Sequence, residues 1–291
     1  MKPVQSFFIL SVSLIFLTAN GLKAQDDFDK KFRFGLKAAP SLNWYKPDNV
    51  KKFTSNGTAL KFGFGLITEF RLSNTVYFTT GLELNYDGGK LNFLDSTYYA
   101  LDKDEAFIEI KKEGDYIAPA NPADTSGIGY QLKNRTYNVT YVNIPLMFKM
   151  RTNEIGYIRY YGQFGVNAGI KTKARVDDET YLAAVANSPI VQKEDLDLDK
   201  DMNLFRFQLH IGMGGEYSLS GSTAFVFGVG YNLGFSNVIR KESRYLYNVE
   251  TVSNNFIADI TKQNATAHNV VLNLGIILTY HAKYSCRLVK L

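Results

Sequence analysis

The chain has 291 residues, a formal charge of +5 and 45% hydrophobic residues, with a mean hydropathy of −0.16. These totals exclude a disordered chain, and a single Cys excludes a disulfide-stapled mini-protein. They also argue against a helical polytopic membrane protein, whose mean hydropathy would lie well above zero. Against 19 Tyr, 21 Phe and 23 Gly stand only one Trp, one Cys and three His. That balance points to β-structure and leaves few groups suited to catalysis.

The first 24 residues have the layout of a secretory signal: Lys2, an apolar run from Phe7 to Leu17, and a cleavage point after Ala24. The run is short for a membrane anchor. Cleavage leaves 31 basic and 28 acidic residues, too balanced for nucleic acid as a partner. Cys286 is the lone thiol, so it has no partner for an internal disulfide. Residues 25–31 are expected to be a periplasmic segment, 32–280 a barrel and 281–291 a C-terminal tail.

Beyond residue 25, apolar and polar residues alternate with period two, the mark of half-buried strands. At 60–70, Leu60, Phe62, Phe64, Leu66 and Phe70 share one face; Lys61, Gly63, Gly65, Ile67 and Glu69 share the other. Strands are likewise expected at 76–86, 203–217, 223–235 and 269–280, with weaker alternation at 32–43, 137–150 and 157–170. These strands are longer than the five or so residues usual in soluble sheets. Their large apolar side chains oppose glycine and charge, and a sandwich core could not hold Arg33, Lys61, Glu69, Glu83, Arg206 and Glu216 unpaired. Apolar residues facing lipid and polar ones facing a lumen resolve the conflict.

The connections alternate in length. Short links fall near 72–75, 152–154 and 218–222, and long ones at about 44–59, 87–136, 171–202 and 236–266. Short periplasmic turns and long extracellular loops are the habit of outer-membrane barrels. The expected fold is therefore all-β: an eight-stranded antiparallel up-and-down transmembrane β-barrel, resident in the outer membrane.

Several segments resemble the PorT family, or porin-family β-barrel domain, of Bacteroidetes outer-membrane proteins. They are FGLKAAPSLN (34–43), GFGLITEFRLSNTVYFTTGLELNYDGGK (63–90), YVNIPLMFKM (141–150), IGMGGEYSLS (211–220) and FGVGYNLGFSNV (227–238). The resemblance covers about 34–280 and rests on the order and spacing of the motifs. It implies an eight-stranded outer-membrane barrel, with some members serving type IX secretion. One departure is the tail HAKYSCRLVKL (281–291), which follows Tyr280 where such chains usually end on the closing aromatic.

In this register Lys37, Lys61, Glu69, Glu83, Lys149, Arg159, Arg206 and Glu216 point inward, and a narrow barrel would pack them as a salt-bridged plug. A proton or ion path is the functional alternative. Pro145 lies inside a strand and is expected to mark a bulge. No catalytic residue, cofactor site or metal site is expected. Ser236 and His268 could share the outer rim, but no nucleophile signature accompanies them. Asp195, Asp197, Asp199 and Asp201 resemble the start of a calcium loop; Lys200 and Arg206 stand where its Gly and closing Glu belong. The stretch 95–116, with Tyr98, Tyr99 and Phe107, could be a partner surface or an ordered lid.

The expected role is structural or interactive, without chemistry of its own: loop presentation, or an accessory of a secretion assembly. A narrow porin-like channel and a membrane-embedded hydrolase are the alternatives. Expected partners are outer-membrane lipid, the barrel assembly machinery and another envelope or secretion protein.

Overall fold

A computed structural model describes residues 32–109, 128–183, 188–220, 222–252 and 255–279. The expected signal peptide, the segment 25–31, Tyr280 and the tail with Cys286 lie outside these residues. Among the described residues twelve strands form, all antiparallel: β1 (Phe32–Pro47), β2 (Phe53–Ser55), β3 (Ala59–Arg71), β4 (Val76–Leu101), β5 (Ile128–Arg151), β6 (Ile158–Leu182), β7 (Val191–Asp197), β8 (Phe205–Ser220), β9 (Thr223–Gly234), β10 (Glu242–Val252), β11 (Asn255–Lys262) and β12 (Ala265–Thr279).

Pairing runs β1–β3–β4–β5–β6–β8–β9–β12 and returns to β1, where Phe34 pairs with Leu278 and Lys46 with Thr266. The sheet is thus a closed ring, which leaves its members no exposed edge. Among the described residues there are twelve strands rather than eight, because β2, β7, β10 and β11 arise within segments expected to be loops.

The short links are as the spacing requires: Leu72–Thr75, Thr152–Tyr157 and the turn before Thr223. The long links are corrected. β4 runs on to Leu101, β5 begins at Ile128 and β6 continues to Leu182, so much of the expected loop is strand.

The two halves of the ring have opposite polarity. In the half nearer the short turns, outward residues are large and apolar: Leu66 is 56% exposed, Ile211 66% and Met213 68%. On β5 this outward row runs Val142, Ile144, Leu146, Phe148 and Met150, a stretch of the roughly nine to eleven residues a tilted strand needs to cross a bilayer. Farther along β5 the faces exchange roles. Leu132, Tyr137, Val139 and Tyr141 are buried inside, while Thr136, Asn138 and Thr140 face out. β6 does the same, with Ala174 and Val176 inside and Lys173 and Arg175 outside. The inner residues merge into one apolar cluster with Tyr45, Phe53, Leu91, Tyr99, Leu198 and Ile239. This distal half is built like a soluble protein, core inward and polar groups outward.

Pro145 does not make the expected bulge. Thr80 pairs with Leu146 and Glu83 with Asn143 in one unbroken register, and Pro145 itself pairs with Asn167. The missing N–H interrupts the β4 ladder locally without inserting a residue. The irregularities of the β5–β6 ladder fall instead at Lys133 of β5, between Leu132 and Asn134, and at Thr172 of β6, opposite Thr140 and Tyr141.

Candidate functional site

The lumen is layered from the short-turn end to the distal core. At the short-turn end lies an open funnel of about 670 Å³ with Arg33, Arg71, Arg151, Arg159 and Glu154 among its walls. Its floor is a buried charge network. Glu69 from β3 accepts from Arg33 and Lys149, each at 2.7 Å. Glu216 from β8 meets Lys149 at 2.6 Å, Arg151 at 2.7 Å and Arg33 at 2.9 Å. Two carboxylates thus tie three cations from β1 and β5, so ion pairs span the lumen between strands that are not neighbours. Rings close over the cations: Lys149 lies 4.1 Å from the Tyr161 ring centre and Arg151 3.8 Å from that of Tyr77. Gly214 and Gly228 make room for this, since a Cβ on either would overlap the Tyr161 hydroxyl.

Above this floor Lys37 donates to Glu83 at 2.7 Å. A cavity of about 60 Å³ follows, lined by Lys37, Glu83, His210 and Asn232 among others. Amides bridge one side of it. Asn167 donates to Asn232 at 2.9 Å, and Asn232 donates to Asn269 at 2.6 Å. The Asn232 Oδ1 lies 2.6 Å from His210 Nδ1, and Gln163 Nε2 lies 2.7 Å from His210 Nε2. With the Gln163 amide nitrogen as donor, these contacts match an imidazole that carries its proton on Nδ1. Higher still, Arg206 pairs with Asp87 and lies 4.0 Å from the Tyr141 ring centre. The apolar cluster closes the lumen beyond it.

The distal half carries its own buried pair. Arg135 on β5 donates twice to Asp178 on β6, at 2.7 and 2.6 Å, with both side chains fully buried. Burial works to lower the Arg135 pKa, but the Asp178 charge and hydrogen bond outweigh it, and the guanidinium titrates above its ordinary value. Asp201, also buried, accepts from the Ser243 hydroxyl and from the Arg244 N–H at 2.7 Å. Burial raises its pKa in spite of these two hydrogen bonds and of the charges of Arg135 and Arg240.

Of the eight residues read as inward, Lys37, Glu69, Glu83, Lys149, Arg206 and Glu216 lie in the lumen with the partners above. Arg159 also faces inward, opposite Glu216 in the β6–β8 ladder, at the funnel mouth where it pairs with Glu154. Lys61 is a correction. The β3–β4 ladder stops at Gly63 and Asn85. Beyond it the Lys61 ammonium reaches Asn138 at 2.5 Å, in an outer groove shared with Thr140 and Lys173.

Sequence reasoning missed Arg151, Asp87 and the Arg135–Asp178 pair. Asp87 and Arg151 each lie one residue past the strand ends drawn from alternation. Parity with Glu83 and Lys149 would have placed both inside.

Ser236 and His268 do not form a pair. The Ser236 hydroxyl accepts from the Phe207 N–H at 2.7 Å. His268 lies on the outer face, stacked between Trp44 and Tyr231 with ring centres 6.1 and 6.3 Å away. Tyr99 and Phe107, 5.1 Å apart, pack into or against the distal core, and residues 110–116 of that stretch lie outside the described residues. Among the described residues no group of three or more His, Cys, Asp or Glu could hold a metal ion.

A closed antiparallel ring with an apolar outside and a charged inside defines an outer-membrane β-barrel. A family model described as the outer membrane protein beta-barrel domain matches residues 23–240, and the chain belongs to that family. No curated protein matches. Solved structures similar to it include the outer membrane protein OprG from Pseudomonas aeruginosa, 10% identical, covering 87% of this chain and 97% of that one, with a TM-score of 0.43. Neisserial surface protein A is 10% identical, covering 86% and 97%, with a TM-score of 0.38. The attachment invasion locus protein of Yersinia pestis is 11% identical, covering 86% and 100%, with a TM-score of 0.33.

Proposed function

We propose that this protein is a plugged outer-membrane barrel whose role is structural or interactive, and that it performs no chemistry of its own. In this reading β1, β3, β4, β5, β6, β8, β9 and β12 are the eight membrane-crossing strands. Their short turns face the periplasm, and the distal half stands outside the cell as a folded platform. The signal is removed after Ala24. One observation carries the reading: the lumen is crossed by the Glu69 and Glu216 ion pairs and then filled by the apolar cluster, with a cavity of about 60 Å³ between them. A cavity of that size holds a few waters, which favours a plug over a solute channel. The separate commitments of Ser236 and His268 weigh against a hydrolase.

The partner is proposed to be another envelope protein, and an accessory role in type IX secretion fits the resemblance to the PorT family. Photocrosslinking residues placed at Lys103 and Asp104, both exposed on the distal half, test this in intact cells. A single envelope protein crosslinked from both positions supports the reading. Crosslinks to nothing but lipid would sink it.

A further inference from the structure

We propose that the funnel at the short-turn end binds a small dianion of the phosphate class. The argument begins with charge. Arg33, Arg71, Arg151 and Arg159 line the funnel, and Lys149 lies in its floor. Among the described residues the facing carboxylates are Glu154, Glu69 and Glu216. Among the described residues five cations therefore meet three anions, a surplus of two positive charges.

Exposed arginines around a rim would be unremarkable, but this surplus is partly buried. The Arg151 side chain is 10% exposed, and its one carboxylate, Glu216, is shared with Arg33 and Lys149. Its Nε is buried and has no hydrogen-bond partner among the described residues. A cation held in a low-dielectric site on a third share of one carboxylate is a strong anion acceptor. Arg71 adds a guanidinium whose contacts are to the Ser73 carbonyl at 3.3 Å and the Asn74 side chain at 2.6 Å, both neutral. Guanidinium forks match phosphate oxygens in pairs, and low-dielectric walls focus the field of the surplus along the barrel axis.

Two surplus charges and an opening of about 670 Å³ suit a compact dianion from solution better than a lipid headgroup, which would have to bend over the ring of turns. The inference stands apart from the proposed structural role, because it concerns only the chemistry of this mouth.

The test is calorimetric titration of inorganic phosphate, a dianion at pH 8, into the whole protein in a maltoside detergent at low ionic strength. Saturable one-to-one binding is expected, weakened about tenfold by Arg151→Gln and by Arg71→Gln, each of which removes a guanidinium. Lys200→Gln, on the distal half, should leave the affinity unchanged. Arg71 sits at the end of β3 outside the buried network, so its variant reports binding even if Arg151→Gln folds poorly. Heat-modifiable gel mobility checks that both are folded. Absence of saturable binding, or wild-type affinity in both variants, overturns the proposal. Competition from phosphatidylglycerol in nanodiscs overturns the assignment to a soluble dianion.

Discussion

Lys149 of β5 and Glu216 of β8 lie 2.6 Å apart across the lumen, joining two strands that β6 separates. The same carboxylate also holds Arg33 and Arg151, so one acid from β8 fastens β1 and β5. The ring is closed by backbone pairing, and this group of side chains braces it from within.

Removing that acid leaves three buried cations with Glu69 alone. Glu216→Gln should therefore cost about 3–5 kcal/mol, the range for breaking one side of a buried pair. Urea unfolding in lipid vesicles measures the loss. The double variant Glu216→Gln/Arg151→Gln should recover part of it, because the charge left over is then smaller. Additive losses would mean that Arg151 and Glu216 are not energetically coupled.

The Arg135–Asp178 pair braces the distal half alone. Asp178→Asn leaves a fully buried guanidinium that also lies 5.6 Å from the Tyr99 ring centre and 5.3 Å from that of Phe107. A loss of about 3–5 kcal/mol is expected there, with the membrane half intact. Limited proteolysis should cut the distal half faster while heat-modifiable mobility is retained. Loss of that mobility would show that the halves do not fold separately.

Asp201 gives the distal half a pH dependence. Its folded pKa is raised above the ordinary 3.8, so the folded form holds the proton more tightly than the unfolded form. Its contribution to stability is thus complete below the unfolded value and is lost as pH rises through the folded one. Asp201→Asn keeps an acceptor for the Arg244 N–H and removes the buried charge. It should flatten the decline, so that hydrogen exchange around Ser243 at pH 7 is slower than in the wild type. Faster exchange in Asp201→Asn would reverse the sign and contradict the account.

Much of the barrel is legible in the sequence, and the limits have a physical cause. Alternation exposes the lipid-crossing strands because Phe62, Phe64 and Leu66 oppose small or polar residues in strict order. Past the lipid the rule inverts: Tyr137 and Val139 point inward, Asn138 and Thr140 outward. The apolar-outward alternation ends there, so from sequence β4, β5 and β6 read shorter than they are. Parity also gives the face of a charge without its partner. Alternation places Lys149 inside, but its union with Glu216 depends on how the ring closes. Lys61 had the right parity and still left the lumen, because its ladder to β4 had ended.

The central claim is that the lumen is closed, and single-channel recording in planar bilayers tests it most directly. The wild-type protein should give no resolved conductance at about 100 mV, a potential worth about 2.3 kcal/mol per elementary charge. A triple change of Lys149, Arg151 and Glu216 to Ala should at most produce brief, irregular events, because the distal apolar cluster still stands above the gap. Steady ohmic steps from the wild type, abolished when Arg206 and Glu216 are replaced, would contradict the account.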